Sequence, residues 1–187
     1  NIAKKTKFYP NIIKIVIQDA FKLIREKNKR VSINISYDDI ANEETTTFIY
    51  DLLEQNRNLT QFLEFEILES EEISDFSEVS KFISGIRKFD CIVGVDDFGA
   101  GYSNFNLLTL LDIDFVKIDG SLIEKINSSK DLEIIVNTIA NFSKEFKVKT
   151  VAEYVSNEDI YNKIKELNID YCQGYYFDKP LCYDAIK

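Results

Sequence analysis

The sequence predicts an α/β fold with a mainly parallel sheet. Six short apolar segments of strand length alternate with stretches in which apolar residues recur at helical spacing. Each connection is long enough to hold one helix, so consecutive strands are expected to form right-handed βαβ units. From this pattern alone, an open doubly wound sheet and a closed β/α barrel are both allowed.

The six predicted strands are runs of mostly apolar residues, as expected of parallel strands that are buried on both faces. They begin near Val31 (VSINIS), Phe62 (FLEFEIL), Cys91 (CIVGVD), Asp114 (DFVKID), Val148 (VKTVAE) and Asp170 (DYCQGYYF). No glycine-rich turn follows the first strand, so the sequence gives no support to a dinucleotide-binding sheet.

Helices are predicted between the strands from apolar residues three or four positions apart. In chain order the predicted apolar faces are Ile13, Val16, Ala20 and Ile24; Phe48, Leu52 and Leu53; Val79, Phe82, Ile83 and Ile86; Ile135, Ile139 and Phe142; Ile160, Ile164 and Leu167. The sequence contains no linker and no tandem repeat, which predicts a single domain over residues 1–187.

Composition excludes several kinds of active site. The chain of 187 residues has no histidine, which rules out Ser-His-Asp and Cys-His triads and His-ligated zinc, copper or iron. A net charge of −9 argues against a general nucleic-acid surface. Three cysteines without a CxxC pair, and no apolar run of membrane length, predict a cytoplasmic protein or the cytoplasmic part of a larger, membrane-attached one.

Polar residues near the strand ends are the candidate functional residues. In a β/α barrel the carboxyl ends of all strands face one rim, so these side chains would converge there. The alternative for a lone Asn or Gln is a hydrogen bond to a loop or to water. The set comprises Asn34, Glu66, Asp96, Asp97, Lys117, Glu153 and Gln173.

This set of side chains favours metal-assisted phosphodiester hydrolysis. The adjacent carboxylates Asp96 and Asp97 repel each other unless a cation neutralises them. Oxygen ligands suit Mg²⁺ or Mn²⁺, and two such ions can clamp an in-line displacement at phosphorus. Lys117 supplies a positive charge for a phosphate, and Glu153 is the candidate general base.

Several motifs resemble those of the EAL-domain family, the bacterial phosphodiesterases that linearise the second messenger cyclic di-GMP. In family order these are SINIS, FEILES, VDDFGAGYSNF, VKID, VAEYV and QGYYFDKPL. The resemblance implies a TIM-like (β/α)8 barrel with an antiparallel first strand. About six of the eight strands would lie in this chain and the first two upstream of Asn1, so that residues 1–187 form an N-terminally incomplete barrel domain.

The resemblance also implies a role for each matching residue. Asn34, Glu66 and Asp96 correspond to ligands of a first Mg or Mn ion, and Asp96 with Asp97 to ligands of a second, in two-metal hydrolysis that yields linear pGpG. Asp97, Lys117 and Glu153 correspond to catalytic residues, Gln173 to a support for the metal waters, and Glu69 to the anchor of the following loop. The expected substrate contacts are Ser36, Asp119, Tyr175, Phe177 and Pro180.

The implied partners are cyclic di-GMP, a second copy of the chain through the loop after Asp97, and an upstream sensory or GGDEF-type domain, with no nucleic acid. The chain departs from the family pattern at several positions. The E-x-L-x-R strand is expected before Asn1; Ala100 replaces a Thr; and Ser156 replaces a Glu. Tyr154 stands where Gly is usual and is expected to crowd the mouth of the site.

Two other functions are compatible with these departures. A catalytically degenerate domain would act as a cyclic di-GMP receptor or a protein-interaction module, and the upstream Glu of E-x-L would distinguish it from an enzyme. A metal-dependent barrel lyase or aldolase would require the DDFGAGYS match to be accidental.

Overall fold

The structure, a computed structural model, describes residues 9–69, 73–101 and 105–186, with side chains from residue 12 onward. In these ranges one or two α-helices lie between each pair of consecutive strands. The strands are β1 (Val31–Asn34), β2 (Leu63–Leu68), β3 (Ile92–Phe98), β4 (Phe115–Ile118), β5 (Lys149–Ala152) and β6 (Tyr171–Cys172). The helices are α1 (Tyr9–Lys27), α2 (Tyr37–Ala41), α3 (Glu43–Gln55), α4 (Phe76–Arg87), α5 (Asn106–Leu110), α6 (Gly120–Ile123), α7 (Lys130–Glu145) and α8 (Glu158–Glu166).

The strands follow one another in the sheet in their order along the chain, β1-β2-β3-β4-β5-β6. The registers of β1 with β2, β3 with β4, β4 with β5, and β5 with β6 are all parallel. A doubly wound sheet reverses its strand order at a switch point, whereas a β/α barrel does not. The strand order therefore favours the barrel, and the predicted α/β class is confirmed.

The chain divides into two compact units, residues 1–67 with 71–93 and residues 68–70 with 94–187. In the first unit, β1 pairs with β2, and α1 packs against α3 and β1. Its fully buried side chains come from β2, α1, α3 and α4 and include Ile17, Ile24, Ile49, Leu53, Leu63, Phe65, Ile83 and Ile86. Most of the predicted helix faces hold, but Val16 of α1 is exposed, and Phe48 and Leu52 of α3 are only half-buried.

The second unit contains β4, β5 and β6, most of β3, and helices α5 to α8. Its core is built by residues such as Phe98, Val116, Ile118 and Ile139, each almost completely buried. Polar residues begin its longer helices: Ser129 accepts a hydrogen bond from the backbone of α7 and Asn157 from that of α8. Ile135, predicted to be on the buried face of α7, is exposed, while Val136 takes the buried position beside it.

The last strand is shorter than the sequence predicts. β6 ends at Cys172, so Tyr175 and Phe177 lie in the turn that follows and not in the strand. The chain turns at Gly174, which has φ +156°. This glycine lies directly against the backbone of Val155, where a Cβ would be 2.2 Å from the Val155 carbonyl oxygen. The Tyr176 N–H then donates to that same oxygen at 3.0 Å.

None of the helices in the described ranges combines the length and the apolar character that crossing a membrane requires.

Candidate active site

Asp96 and Asp97 lie in a bulge of β3. Val95 pairs with Val116 and Phe98 with Ile118, so both aspartates stand opposite the single residue Lys117. Adjacent side chains of a regular strand point to opposite faces of the sheet. Here the bulge and the left-handed backbone of Asp97, at φ +56°, change that alternation and bring both carboxylates to one place.

Three carboxylates converge on this bulge. In the described part of the chain, the one cluster with the geometry to hold a metal ion is Asp96, Asp97 and Glu153, which each place an oxygen within 4.8 Å of the others. Glu153 directly follows β5, whose Ile118–Ala152 pairing holds it beside the end of β4. The Glu153 N–H donates to the Ile118 carbonyl at 3.2 Å, which fixes its backbone.

Lys117 is the positive centre of this cluster. Its Nζ lies 2.8 Å from Asp96 Oδ1 and 2.8 Å from Glu153 Oε1. Gln173 Nε2 donates to the same Glu153 oxygen at 3.1 Å. Asp96, Lys117 and Glu153 are 8%, 9% and 6% exposed. Charges this deeply buried are tolerated only when they are paired, so the three side chains hold one another in position.

Negative charge exceeds positive charge in the cluster, and two of its carboxyls have raised pKa values, chiefly because they are buried. Burial raises the pKa of Asp97, with further contributions from Asp96 and Asp119 that outweigh the opposing effect of Lys117. Burial also raises the pKa of Glu153, against the hydrogen bond and charge of Lys117. A divalent cation would relieve this repulsion, and the all-oxygen donor set suits Mg²⁺ or Mn²⁺. The residues present therefore fit a divalent metal.

Glu69 connects the bulge to the loop that follows it. Its carboxylate accepts a hydrogen bond from the Gly99 N–H at 2.7 Å, and its own N–H donates to the Asp96 carbonyl at 3.0 Å. Gly99 has φ +96°, a conformation that favours glycine. This is the contact expected of a loop anchor. Residues 102–104 of the loop lie outside the described residues.

The structure brings Asn34 and Glu66 together within the first unit. They are register partners at the carboxyl end of the β1–β2 pair; Glu66 is buried and Asn34 is exposed. The Ile35 N–H donates to the Glu66 carbonyl at 2.9 Å, which extends this pairing beyond β1. Asn34 is the last residue of β1, whereas Glu66 lies two residues before the end of β2.

Two of the predicted substrate contacts cap helices. Ser36 forms a capping box with Asp39 at the start of α2, and its hydroxyl donates to Asp39 Oδ2 at 2.6 Å. Asp119 caps α6, where it accepts hydrogen bonds from the backbone N–H and the hydroxyl of Ser121. Their positions next to strand ends are explained by helix capping as well as by substrate binding.

A cavity of about 340 Å³ adjoins the cluster through Gln173 and contains two other predicted substrate contacts, Tyr175 and Pro180. The third, Phe177, packs edge-on against Tyr161 and Tyr176 and is not among the lining residues. The cavity is lined by Tyr154, Ser156, Gln173, Gly174, Tyr175 and Pro180.

Tyr154 and Ser156 were not among the predicted site residues. The available signal was their departure from the family pattern, and for Tyr154 it led only to the expectation of crowding. In the structure the Tyr154 ring lies over Gly120 and forms one wall of the cavity.

Comparisons with known proteins agree with the fold. The family model for the EAL domain matches residues 1–180. A cyclic di-GMP phosphodiesterase, PdeA, of Borreliella burgdorferi is 36% identical over 149 residues, covering 80% of this chain and 22% of the relative. The cyclic di-GMP phosphodiesterase PdeF of Escherichia coli is 32% identical over 81% of this chain and 20% of its own length. The chain thus spans about a fifth of the curated relatives it matches.

Solved structures show the same fold. An EAL domain protein from Listeria monocytogenes EGD-e superposes with a TM-score of 0.84 at 31% identity, covering 97% of this chain and 76% of that one. The PaMucR phosphodiesterase in complex with c-di-GMP has a TM-score of 0.89 at 22% identity, over 100% of this chain and 78% of that one. With the family model matched along nearly its whole length, the chain belongs to the EAL domain family.

Proposed function

We propose that this chain is the barrel domain of an enzyme that hydrolyses cyclic di-GMP to linear pGpG. The observation that carries the proposal is the buried cluster in which Lys117 bridges Asp96 and Glu153 beside Asp97. The names of the relatives from Borreliella burgdorferi and Escherichia coli, both cyclic di-GMP phosphodiesterases, support the choice of substrate.

The proposed metal ligands are those predicted from the sequence. Asn34, Glu66 and Asp96 would hold one Mg or Mn ion, and Asp96 with Asp97 a second. Bound divalent ions lower the pKa of water and neutralise charge that develops at the phosphate. Burial and the charges of Asp96 and Asp119 raise the pKa of Asp97. This raised pKa supports a cation bound beside Asp96 and Asp97.

The chain's own residues account for the proton and the charge. Water attacks phosphorus, a new P–O bond forms, and the P–O3′ bond breaks, which opens the ring. O3′ leaves with the bonding electron pair and takes a proton from solvent, so the product carries a 5′-phosphate and a 3′-hydroxyl. Glu153 accepts the proton of the attacking water; burial raises its pKa towards the range that suits a general base. Gln173 and Lys117 fix its carboxylate, and the Lys117 ammonium also faces the charge of the phosphate.

Incubation of the protein with cyclic di-GMP and Mn²⁺ or Mg²⁺ tests the proposal, with pGpG measured by chromatography. Asp96→Asn should abolish product formation, because it weakens a ligand shared by both ions and a partner of Lys117. Asp51→Asn is the matched control, since Asp51 is exposed on α3. Turnover retained by Asp96→Asn would contradict the two-metal assignment. Binding of cyclic di-GMP by the wild type without product would favour the receptor function.

Assembly and location form a separate part of the proposal. We infer a cytoplasmic homodimer that forms through the loop after Asp97. Glu69 holds this loop through its hydrogen bond with the Gly99 N–H. We also infer an upstream sensory or GGDEF-type domain. The much greater length of the relatives supports it, because this chain covers only 22% and 20% of them. Sedimentation of wild type and Glu69→Ala tests the dimer, because loss of the acceptor for the Gly99 N–H should weaken self-association. Unchanged self-association would overturn the role of the loop.

A further inference from the structure

The Tyr154 side chain is an exposed aromatic ring immediately beside the cluster of Asp96, Asp97, Lys117 and Glu153. It follows Glu153 in sequence and is 69% exposed. One edge of the ring rests on Gly120, where a Cβ would come within 2.2 Å of Tyr154 Cδ2. The absence of a side chain at Gly120 therefore gives the ring its place at the start of α6.

The backbone on both sides of the ring is fixed. The Val155 N–H donates to the Gln173 carbonyl at 3.0 Å, and the Gln173 N–H donates to the Ala152 carbonyl at 2.9 Å. The Tyr176 N–H donates back to the Val155 carbonyl at 3.0 Å. These three bonds join the end of β5 and the segment after it to the segment after β6. They hold Tyr154 and Tyr175 on the walls of one cavity.

The cavity has the chemistry of a base-binding site. Two tyrosine rings and Pro180 line it, and none of its lining residues carries a charged side chain. Its volume of about 340 Å³ is at the lower end of the roughly 300–1,000 Å³ typical of ligand pockets, which suits one base better than a whole dinucleotide. Gln173 belongs to the cavity and also bonds to Glu153, so a base here has its phosphate near Lys117.

We propose that Tyr154 is a specificity-determining residue that stacks on one guanine base of the substrate in this cavity. The identity of the base rests on the proposed function. The backbone of Tyr154, at φ +55°, is unfavourable for a tyrosine and free for a glycine. The chain thus keeps an aromatic residue at a position where the backbone alone favours Gly, and base stacking gives the ring a function.

Three variants test the stacking. Tyr154→Gly removes the ring at a position whose backbone favours glycine. Because the ring stacks on one base, its removal should raise the KM or Kd for cyclic di-GMP by about 5- to 150-fold. The value of kcat should change little, because Glu153 and Lys117 are untouched. Tyr154→Phe should restore KM towards the wild-type value. Gly120→Ala keeps the tyrosine but displaces its ring, and should raise KM as well.

The control is Tyr171→Ala, which removes another exposed tyrosine that is not among the residues lining the cavity. Equal Mn²⁺ affinity in Tyr154→Gly and wild type would show that the metal ligands are intact. An unchanged KM and Kd in Tyr154→Gly, or a lower one because the ring obstructs the cavity, would overturn the proposal. If the wild type binds cyclic di-GMP without forming pGpG, the proposed hydrolysis fails while the Kd values still decide the stacking. If the wild type neither binds nor cleaves it, both proposals fail.

Discussion

Six residues other than glycine have a left-handed backbone in the described part of the chain, and they form two groups. Four follow the ends of long helices, where this conformation commonly terminates a helix: Asn28, Asp90, Lys147 and Asn168. The other two are Asp97 and Tyr154, and both lie beside the carboxylate cluster. At the scale of single residues, unusual backbone conformation away from helix ends therefore coincides with the site.

Metal binding should depend on pH through Asp97. Because burial and the charges of Asp96 and Asp119 raise the pKa of this carboxyl, protons should displace Mn²⁺ at a higher pH than at an exposed aspartate. Mn²⁺ titrations between about pH 4 and about pH 8 would measure this midpoint. Asp119→Asn removes one of the two charges that raise the pKa of Asp97 and keeps a helix-capping residue. The pH at which half of the Mn²⁺ is displaced should therefore be lower in this variant than in wild type. An identical profile in the two proteins would contradict the contribution of Asp119.

Strands β5 and β6 are joined at their amino ends by a polar contact. Asp170 accepts hydrogen bonds from the Thr150 N–H at 3.0 Å and from the Thr150 hydroxyl at 3.1 Å, and it pairs with Lys149 at 2.5 Å. The Asp170 N–H donates to the Thr150 hydroxyl at 3.2 Å. At the scale of elements, this contact fixes the register that places Glu153 and Gln173 together at the other end of the pair.

Asp170→Ala should lower the free energy of unfolding by about 1.5–3 kcal/mol, because it removes charge-assisted hydrogen bonds to a partly buried backbone. Asp170→Asn keeps an acceptor for the Thr150 N–H and should cost less. Urea unfolding at neutral pH would measure both values. A larger loss for Asp170→Asn than for Asp170→Ala would show that the backbone contact is not the important one.

The contribution of Asp170 should also depend on pH. Burial acts to raise the pKa of its carboxyl, but the hydrogen bonds and charge of Lys149 and the hydrogen bonds from Thr150 lower it overall. A lowered folded-state pKa stabilises the protein above the unfolded value, near 3.8, and this stabilisation is lost as the pH falls through the folded value. The difference between wild type and Asp170→Ala should therefore be constant at neutral pH and shrink in acid.

For the whole molecule, the sequence predicted the alternation of strands and helices because apolar periodicity reflects burial directly. Predicted and observed strand starts agree within a residue, as at Val31 and at Ile92 against Cys91. The bulge at Asp97 could not be predicted, since it depends on pairing with β4. The early end of β6 depends on the approach of Gly174 to Val155, a contact between distant parts of the chain.

Part of the candidate site could also be predicted from the order of the strands. Asp96, Asp97, Lys117, Glu153 and Gln173 come together because strand ends meet at one edge of a parallel sheet. Ser36 shows the opposite case, because it was predicted only as a substrate contact, and the structure pairs it with Asp39 in a capping box. A polar residue near a strand end is thus ambiguous when a helix starts within a few positions of it.

Divalent cations should stabilise the whole protein. The cluster gains a counter-ion in the folded state that the unfolded chain cannot organise, so Mn²⁺ at 100 times its Kd should add about 2.7 kcal/mol to the free energy of unfolding. Thermal unfolding with increasing Mn²⁺, and with EDTA, would measure the effect. NaCl of equal ionic strength is the control for screening. An equal increase in Tm in the Asp96→Asn variant would place the stabilising ion elsewhere.

The Lys117 ammonium has a further consequence during synthesis of the protein. Because it already sits between Asp96 and Glu153, the chain carries an internal counter-ion for two of its three clustered carboxylates. We therefore expect the domain to fold before a metal ion binds, with Lys117 as the counter-ion in its place. A divalent ion would then add stability to a domain whose buried carboxylates are already partly neutralised.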